Sequence, residues 1–202
     1  RLNKVIADSG LCSRRKADKL IASGVVQVNG KTVTEMGLQV NPHQDRITVN
    51  NKPLPKSKKQ YILFHKPKDC LCTKRDEQGR QTIYGYLPKE LHHLDPVGRL
   101  DRNSTGALIL SNDGDFVHRL MHPSFHIDKR YRVTLDKAVT KEDIKQLAKG
   151  IKLEPEGLAK ALSIEQRQET LLYLSLITGY NRQIRRMFDA LDYEVKALRR
   201  VS

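Results

Sequence analysis

The stretch Gly98-Arg99-Leu100-Asp101-Arg102-Asn103-Ser104-Thr105-Gly106-Ala107-Leu108-Ile109-Leu110 places one carboxylate between two arginines, on a turn that runs into an apolar strand. A carboxylate flanked by cations stays ionised, so Asp101 is available as a nucleophile or a base rather than as an acid. An isolated Asp in a turn more often only accepts hydrogen bonds from the backbone. The rest of the sequence therefore decides whether Asp101 is catalytic.

The composition predicts a polyanionic partner. The 202 residues carry a formal net charge of +14, and 38% of them are hydrophobic, which is enough for a core. Such a charge favours nucleic acid or an anionic membrane. No apolar run approaches the roughly 18 residues that span a bilayer, and the first residues lack the apolar stretch of a signal peptide. We therefore expect a cytoplasmic protein that binds RNA or DNA, not a membrane.

The cysteines and histidines do not predict a metal site. Cys12, Cys70 and Cys72 are odd in number and follow no secretion signal, which indicates reduced thiols. His118 and His122 are spaced as if for a metal, yet no carboxylate or third histidine is placed to complete the site. We expect no metal and no cofactor.

The N-terminal residues, 1–48, are predicted to form a small domain of helices and strands. Apolar stripes predict one helix that ends at Gly10 and a second from Ser13 to Gly24. Asn29-Gly30 lies between two short apolar segments and predicts a hairpin. Residues 49–59 have the composition of a linker.

Cations crowd the start of the second predicted helix: Arg14, Arg15, Lys16 and Lys19. The helix dipole disfavours cations at this end, so a phosphate backbone is the partner that best explains them. A solvated helix face is the alternative, but these charges carry almost a single sign. We predict RNA contact here.

Residues 60–202 are predicted to form an α+β domain with a mixed, mainly antiparallel sheet flanked by helices, because turns and helices join its strands without regular alternation. Thr140 with Asp143 predicts a capping box. Residues 171–177 are almost continuously apolar, which predicts an internal strand. Asn181 is the predicted N-cap of the last helix.

Three arginines of the last helix, Arg182, Arg185 and Arg186, lie beside its apolar stripe. One of them is expected to reach the Asp101 carboxylate. The others are expected to hold phosphates, which arginine binds in bidentate fashion.

Both parts of the chain resemble known families. Residues 1–48 resemble an S4 RNA-binding domain, most clearly in 11–17 and 24–31. Residues 58–202 resemble the catalytic domain of pseudouridine synthases, of the branch that modifies ribosomal RNA in bacteria. The stretches that carry this second resemblance are 97–101, 122–131 and 181–187.

The pseudouridine synthase resemblance implies roles for individual residues. Asp101 matches the catalytic Asp, and Arg185 matches the arginine that pairs with it. Tyr131 matches the tyrosine that packs against the target base and is a candidate for proton transfer. Ile184 and Leu100 are expected to line the uracil pocket. A core position for Tyr131 and simple phosphate binding by Arg185 are the alternatives.

Further RNA contacts are expected from cations around these motifs. They are Arg99, Arg102, Lys129, Arg130, Arg182 and Arg186. Ala107 departs from the family pattern, in which leucine is commoner at that position. Relatives usually continue for another strand beyond the position of Ser202, which is consistent with a trimmed chain.

The resemblance implies isomerisation of uridine to pseudouridine in ribosomal RNA by a cofactor-free route. The reaction breaks the N1–C1′ bond, rotates the base and bonds C5 to C1′. Asp101 would either attack C1′, as the nucleophile of a retaining glycosidase does, or remove a proton from C2′. The uridine must leave its stack in both cases.

The target RNA is predicted from a single loop. The 72–80 loop is similar to that of large-subunit enzymes, which favours 23S over 16S rRNA, and a monomer is expected. A non-catalytic S4-type factor that binds the ribosome is the alternative function. The presence of Asp101, Tyr131 and Arg185 together favours the enzyme. DNA is the weakest candidate partner, since no helix offers a face for the major groove.

Overall fold

The computed structural model describes all 202 residues and divides into two compact units. The smaller unit consists of Arg1–Gln60 with Asn112–Gly114. The larger unit consists of Tyr61–Ser111 and Asp115–Ser202 and contains every residue that the sequence predicts to be catalytic.

The smaller unit packs two helices on a four-stranded antiparallel sheet. Its elements are α1 (Leu2–Asp8), α2 (Arg14–Ala22), β1 (Val26–Val28), β2 (Lys31–Thr32), β3 (Ile47–Val49) and β4 (Lys52–Pro53). The strand order is β2-β1-β3-β4. Leu2 and Ile6 of α1 are buried with Ala17 and Ile21 of α2, so both predicted helical stripes are confirmed.

The predicted hairpin forms at Asn29-Gly30. Both residues have left-handed backbone angles, with φ of 53° and 81°, as a two-residue turn between twisted strands requires. The sheet also extends into residues 49–59, the predicted linker, because Lys52 and Pro53 pair with β3.

The larger unit is built on a seven-stranded sheet. Its strands and helices are β5 (Tyr61–Lys66), β6 (Asp95–Pro96), β7 (Ser104–Ser111), α3 (Gly114–Met121), β8 (Lys129–Leu135), α4 (Lys141–Lys149), β9 (Ile151–Leu153), β10 (Gly157–Ala159), β11 (Ser163–Gln168), β12 (Leu171–Leu176), α5 (Gln183–Asp189) and β13 (Val195–Arg200). The order is β11-β12-β8-β13-β7-β5, with β6 also paired to β7. Only β13 and β7 run parallel, so the mixed, mainly antiparallel α+β fold is confirmed.

One face of this sheet carries the residues that matter for the site. Lys66, Gly106, Arg200, Tyr131 and Leu174 are successive cross-strand partners on five neighbouring strands. Directly paired residues point to the same face of a sheet. The sheet therefore brings together side chains that are far apart in the sequence.

The sheet register also explains the two hydrophobic cores of the unit. One core packs Leu147 of α4 and Phe188 of α5 against Val133 and Leu172. The other core covers Leu108 on β7 with residues from the segment before β6. As predicted, the apolar strand β12 is internal, between β11 and β8.

The capping predictions have different outcomes for the two later helices. Thr140 accepts a hydrogen bond from the Asp143 N–H at 3.1 Å, which confirms the predicted cap of α4. The prediction for Asn181 is wrong, because α5 is preceded by Arg182 in a left-handed conformation, with φ of 48°. The buried Gln183 organises this turn instead. Its side-chain amide accepts a hydrogen bond from the Tyr180 N–H at 3.0 Å and donates one to the Thr178 hydroxyl at 2.8 Å.

The helices are short. None has the length and apolar character that crossing a membrane requires.

Candidate active site

Asp101 lies on the loop between β6 and β7, and a cysteine holds the residue before it. The Leu100 N–H donates to Cys72 Sγ at 3.4 Å, and the Cys72 thiol donates to the Leu100 carbonyl at 3.4 Å. Burial raises the pKa of the Cys72 thiol, so the group stays protonated and can donate. The backbone on the N-terminal side of Asp101 is thus tied to the 72–80 loop.

A buried lysine holds the other side of the same loop. Lys66 has no exposed surface, and its Nζ donates to the carbonyls of Pro67, Arg102 and Ser104 at 2.9, 3.1 and 2.9 Å. The Arg102 carbonyl also accepts from the Asp69 N–H at 2.9 Å. Because the backbone is held on both sides of Asp101, the position of its carboxylate is restricted before substrate binds.

The Asp101 loop opens onto a cleft of about 90 Å³ in the larger unit. Six of the predicted site residues line it: Leu100, Asp101, Tyr131, Ile184, Arg99 and Arg182. Both arginines are exposed. These six residues meet at one cleft, although their sequence positions are widely separated.

Tyr131 stands on β8 and is partly buried in the cleft wall. Burial raises the pKa of its hydroxyl, and the Asp101 carboxylate raises it further. The Arg200 guanidinium opposes both effects by its charge and by a hydrogen bond to the hydroxyl. Tyr131 is thus a cleft residue that senses the Asp101 charge, not only a core residue.

Arg185 does not form an ion pair with Asp101 in this structure. Its guanidinium donates to the carbonyls of Val195 at 2.9 Å and Asn103 at 3.4 Å. Burial lowers the pKa of Arg185, and the negative charge of Asp101 partly restores it, so the two groups are close enough to interact. Arg185 therefore supports the Asp101 loop through Asn103.

Three predicted RNA contacts have intramolecular partners instead. Arg186 pairs with Glu156 at 3.0 Å, and Arg130 pairs with Glu165 at 2.5 Å on the opposite face of β8 from Tyr131. The Lys129 amine donates to two backbone carbonyls at 2.9 Å. These interactions argue against a phosphate-binding role, since they neutralise or enclose the cations.

Arg102 is exposed and only loosely paired, with Asp69 at 3.5 Å. It therefore stays available as a phosphate ligand at the edge of the catalytic loop.

The predicted basic helix start is exposed in the smaller unit. Ser13 caps α2 by accepting from the Lys16 N–H at 3.4 Å, and no acidic residue lies in the first turn. All four cations of this turn and the next are exposed: Arg14, Arg15, Lys16 and Lys19. No ion pair within the protein accounts for them.

His118 on α3 and His122, which follows the helix, form a ring cluster. The His118 and His122 ring centroids are 4.9 Å apart, and the Phe125 ring contacts both at its edge. No group of three or more potential ligands assembles anywhere in the structure.

Sequence reasoning missed Lys66, Cys72 and Arg200. A signal existed for Lys66, because Ile62, Phe64 and Lys66 alternate on β5 and so share the inward face. A charged residue at an inward position needs a specific partner. Nothing local predicts that Arg200 meets Tyr131, since that interaction depends on the register between two distant strands.

Comparison with known proteins agrees with this architecture. Residues 1–47 match the family model of the S4 domain, and residues 60–190 match the model described as RNA pseudouridylate synthase. These matches define the class of the molecule as an RNA-modifying isomerase with an appended RNA-binding domain.

Two relatives align with almost the whole of this chain. The chain is 41% identical to ribosomal large subunit pseudouridine synthase B of Bacillus subtilis, with 99% of this chain and 84% of that protein aligned. It is 36% identical to the dual-specificity RNA pseudouridine synthase RluF of Escherichia coli K12, over 99% of this chain and 68% of the relative. A crystal structure of a pseudouridylate synthase superposes with a TM-score of 0.70 at 31% identity, over 99% of this chain and 86% of that one. The chain therefore belongs to the RNA pseudouridine synthase family.

Proposed function

We propose that this enzyme isomerises uridine to pseudouridine in ribosomal RNA of the large subunit, in the bacterial cytoplasm, with Asp101 acting on the ribose. The observation that carries the proposal is the tethered Asp101 loop at a cleft shared with Tyr131 and Ile184. A flipped nucleotide needs an enclosed pocket with an apolar side and a stacking face. Ile184 supplies the first and Tyr131 the second.

The exposed cations fit the same substrate. Arg99 and Arg182 flank the cleft, where the phosphates on either side of a flipped nucleotide would lie. The cations at the start of α2 offer a second, separate contact for folded RNA. The large-subunit preference is supported by the name of the Bacillus subtilis relative and by the similarity of the 72–80 loop.

Two chemical routes are open to the Asp101 carboxylate. In the first, it attacks C1′ and breaks the N1–C1′ bond, so that uracil leaves the ribose, and the freed base rotates until C5 attacks C1′ and releases the carboxylate. In the second, it removes the C2′ proton as the N1–C1′ bond breaks, and the proton returns to C2′ as C5 bonds to C1′. Both routes end with loss of the C5 proton to solvent and protonation of N1.

Replacing Asp101 with Asn tests the catalytic assignment. We expect Asp101→Asn to abolish release of tritium from 5-tritiated rRNA while RNA affinity stays near that of the unmodified protein, because phosphate contacts do not involve this group. Asp189→Asn removes an equal charge at an exposed position on α5 and serves as the control. Turnover by Asp101→Asn at the normal rate contradicts the assignment.

The target RNA is tested in cells. Pseudouridines are mapped across 16S and 23S rRNA from strains with and without the gene. Loss of a site in 23S rRNA supports the proposal, and loss of a site only in 16S rRNA overturns the large-subunit part of it. No lost site, together with retained RNA binding, favours the non-catalytic S4-type factor.

A further inference from the structure

Arg200 is a neighbour of Tyr131 that no sequence motif assigns to the reaction. It stands at the end of β13, directly opposite Tyr131 on one side and Gly106 on the other. Leu198, two residues earlier on the same face of β13, lines the cleft. The Arg200 side chain therefore belongs to the same layer as Tyr131.

The Arg200 guanidinium has a fixed anchor. Its Nε donates to the Ala107 carbonyl at 2.6 Å, so the planar group cannot rotate freely. The close approach of β7 that makes this possible requires glycine at position 106, because a Cβ there would overlap the Arg200 backbone carbonyl. Gly106 has φ of 107°, a conformation that other residues rarely adopt.

Arg200 and Tyr131 are direct cross-strand partners, so their side chains are neighbours on one face of the sheet. The Arg200 guanidinium acts on the Tyr131 hydroxyl through its charge and as a hydrogen-bonding partner. A guanidinium has no acceptor, so the phenol oxygen must accept in this bond. The proton of the Tyr131 hydroxyl is then free to point elsewhere, into the cleft. The direction of the hydroxyl is thus set by a residue that does not itself line the cleft.

We propose that Arg200 is a positioning residue for Tyr131, which directs the hydroxyl proton toward the uracil base and holds the phenol ring against it. The proposal rests on the proposed function. It assigns to Arg200 the charge that favours proton transfer at Tyr131, and it leaves Arg185 to support the Asp101 loop. Arg200 is expected to affect the chemical step more than RNA binding.

The charged and titratable groups around this pair are few. Asp101 on the catalytic loop and Arg200 on β13 act on Tyr131. Cys72 and Lys129 lie near Arg200, whose charge lowers the pKa of both groups. Among them only Arg200 lowers the pKa of the Tyr131 hydroxyl, so its removal has a predictable sign.

The first test measures Tyr131 in the free protein and does not depend on turnover. Ultraviolet difference titration follows phenolate formation, and subtraction of the Tyr131→Phe curve isolates Tyr131 from the other tyrosines. We expect Arg200→Gln to raise the pKa of Tyr131 above its value in the unmodified protein. Arg199→Gln removes the same charge from the exposed opposite face of β13 and should leave the titration unchanged.

The second test measures single-turnover rates at saturating enzyme across a pH series. Arg200→Gln is expected to lower the rate about a hundredfold, the order of loss that misplacement of a catalytic group produces, with RNA affinity unchanged. Arg200→Lys should keep the Tyr131 pKa closer to normal but recover the rate only in part, since an ammonium lacks the planar fork. Arg199→Gln should behave as the unmodified protein.

The outcomes separate the two proposals. A Tyr131 titration that is the same in Arg200→Gln and the unmodified protein overturns the positioning role, whatever the substrate. Failure of the unmodified protein to form pseudouridine in rRNA overturns the proposed function and leaves the titration informative. If circular dichroism shows that Arg200→Gln is unfolded, Arg200→Lys carries the test, and an unaltered rate and pH profile for it contradict the proposal.

Discussion

Lys66 has no exposed surface, no carboxylate partner, and three backbone carbonyls around its ammonium group. A buried charge is tolerated only when hydrogen bonds replace its hydration. Two of the acceptors here, the carbonyls of Arg102 and Ser104, follow Asp101 directly in the sequence. The hydrogen bonds that stabilise the buried ammonium group therefore also fix the conformation of the Asp101 loop.

Removing the Lys66 ammonium should destabilise the protein and impair catalysis together. Lys66→Met keeps the length of the side chain but removes three hydrogen bonds from a buried ammonium group to backbone carbonyls, so we expect a loss of about 3 kcal/mol in the free energy of unfolding. Urea denaturation measures the free energy of unfolding. The rate of tritium release from 5-tritiated rRNA shows whether the altered Asp101 loop still supports catalysis.

Lys68→Met, at a neighbouring exposed position, is the matched control and should cost little. Equal stability of the two variants would mean that the carbonyls find other donors when Lys66 is replaced.

Among the secondary-structure elements, α4 has an N-terminal cap that also contacts a residue distant in the sequence. The Thr140 hydroxyl caps the helix, and the Asp143 carboxylate accepts hydrogen bonds from the Thr140 hydroxyl at 2.5 Å and the Tyr193 hydroxyl at 2.6 Å. The first two residues are a sequence pattern. Tyr193 lies between α5 and β13 and joins the cap only through the tertiary fold.

The Asp143 hydrogen bonds predict a pH-dependent contribution to stability. The hydrogen bonds from Thr140 and then Tyr193 lower the pKa of Asp143 from its ordinary value of 3.8. A lowered pKa means that the stabilisation is present above the ordinary value and is lost as the pH falls through the folded one. Asp143→Asn should therefore unfold more easily than the unmodified protein at pH 7, and the difference should disappear in acid.

Thermal or urea unfolding of both proteins across this pH range measures the effect. Glu142→Gln, an exposed change on the same helix, should show no comparable pH dependence. A difference for Asp143→Asn that persists unchanged in acid would contradict the origin we give it.

The cations behind the net charge of +14 fall into two groups, those with a carboxylate partner and those without one. Some cations form ion pairs within the protein, as Arg130 does with Glu165 and Arg186 does with Glu156. Others have no protein partner, and the exposed first turn of α2 is the densest such group. Only the second kind can release counterions when RNA binds.

Replacing Arg14, Arg15 and Lys16 with alanine should weaken rRNA binding and reduce its dependence on salt. Removal of one cation that binds a phosphate lowers the log–log slope by about one unit. Filter binding or fluorescence anisotropy at several salt concentrations measures the slope. A triple variant that removes three exposed lysines of α4, Lys141, Lys145 and Lys149, has the same net charge and should keep most of the slope.

If the slope falls by the same amount in the two triple variants, the α2 cations act only through net charge. In that case the basic turn is not a specific RNA-binding site, and RNA recognition must lie elsewhere on the surface.

Elements whose signals are local can be predicted from the amino-acid sequence. The hairpin at Asn29-Gly30, the cap at Thr140 and the apolar strand β12 each depend on residues within a few positions of one another. The Asp101 motif and its order relative to the other motifs were also readable, because family motifs are contiguous. These features identified an α+β RNA-modifying enzyme.

Which side chains contact one another depends on the tertiary structure. Arg186 and Arg130 looked like free cations until their carboxylate partners were brought near from other strands and loops. Lys66 and Arg200 looked like ordinary strand residues until the sheet register placed them beside the Asp101 loop and Tyr131. Periodicity tells which face of a strand a residue occupies. It does not tell which distant strand pairs with it, and that pairing determines the partner of every charge in the site.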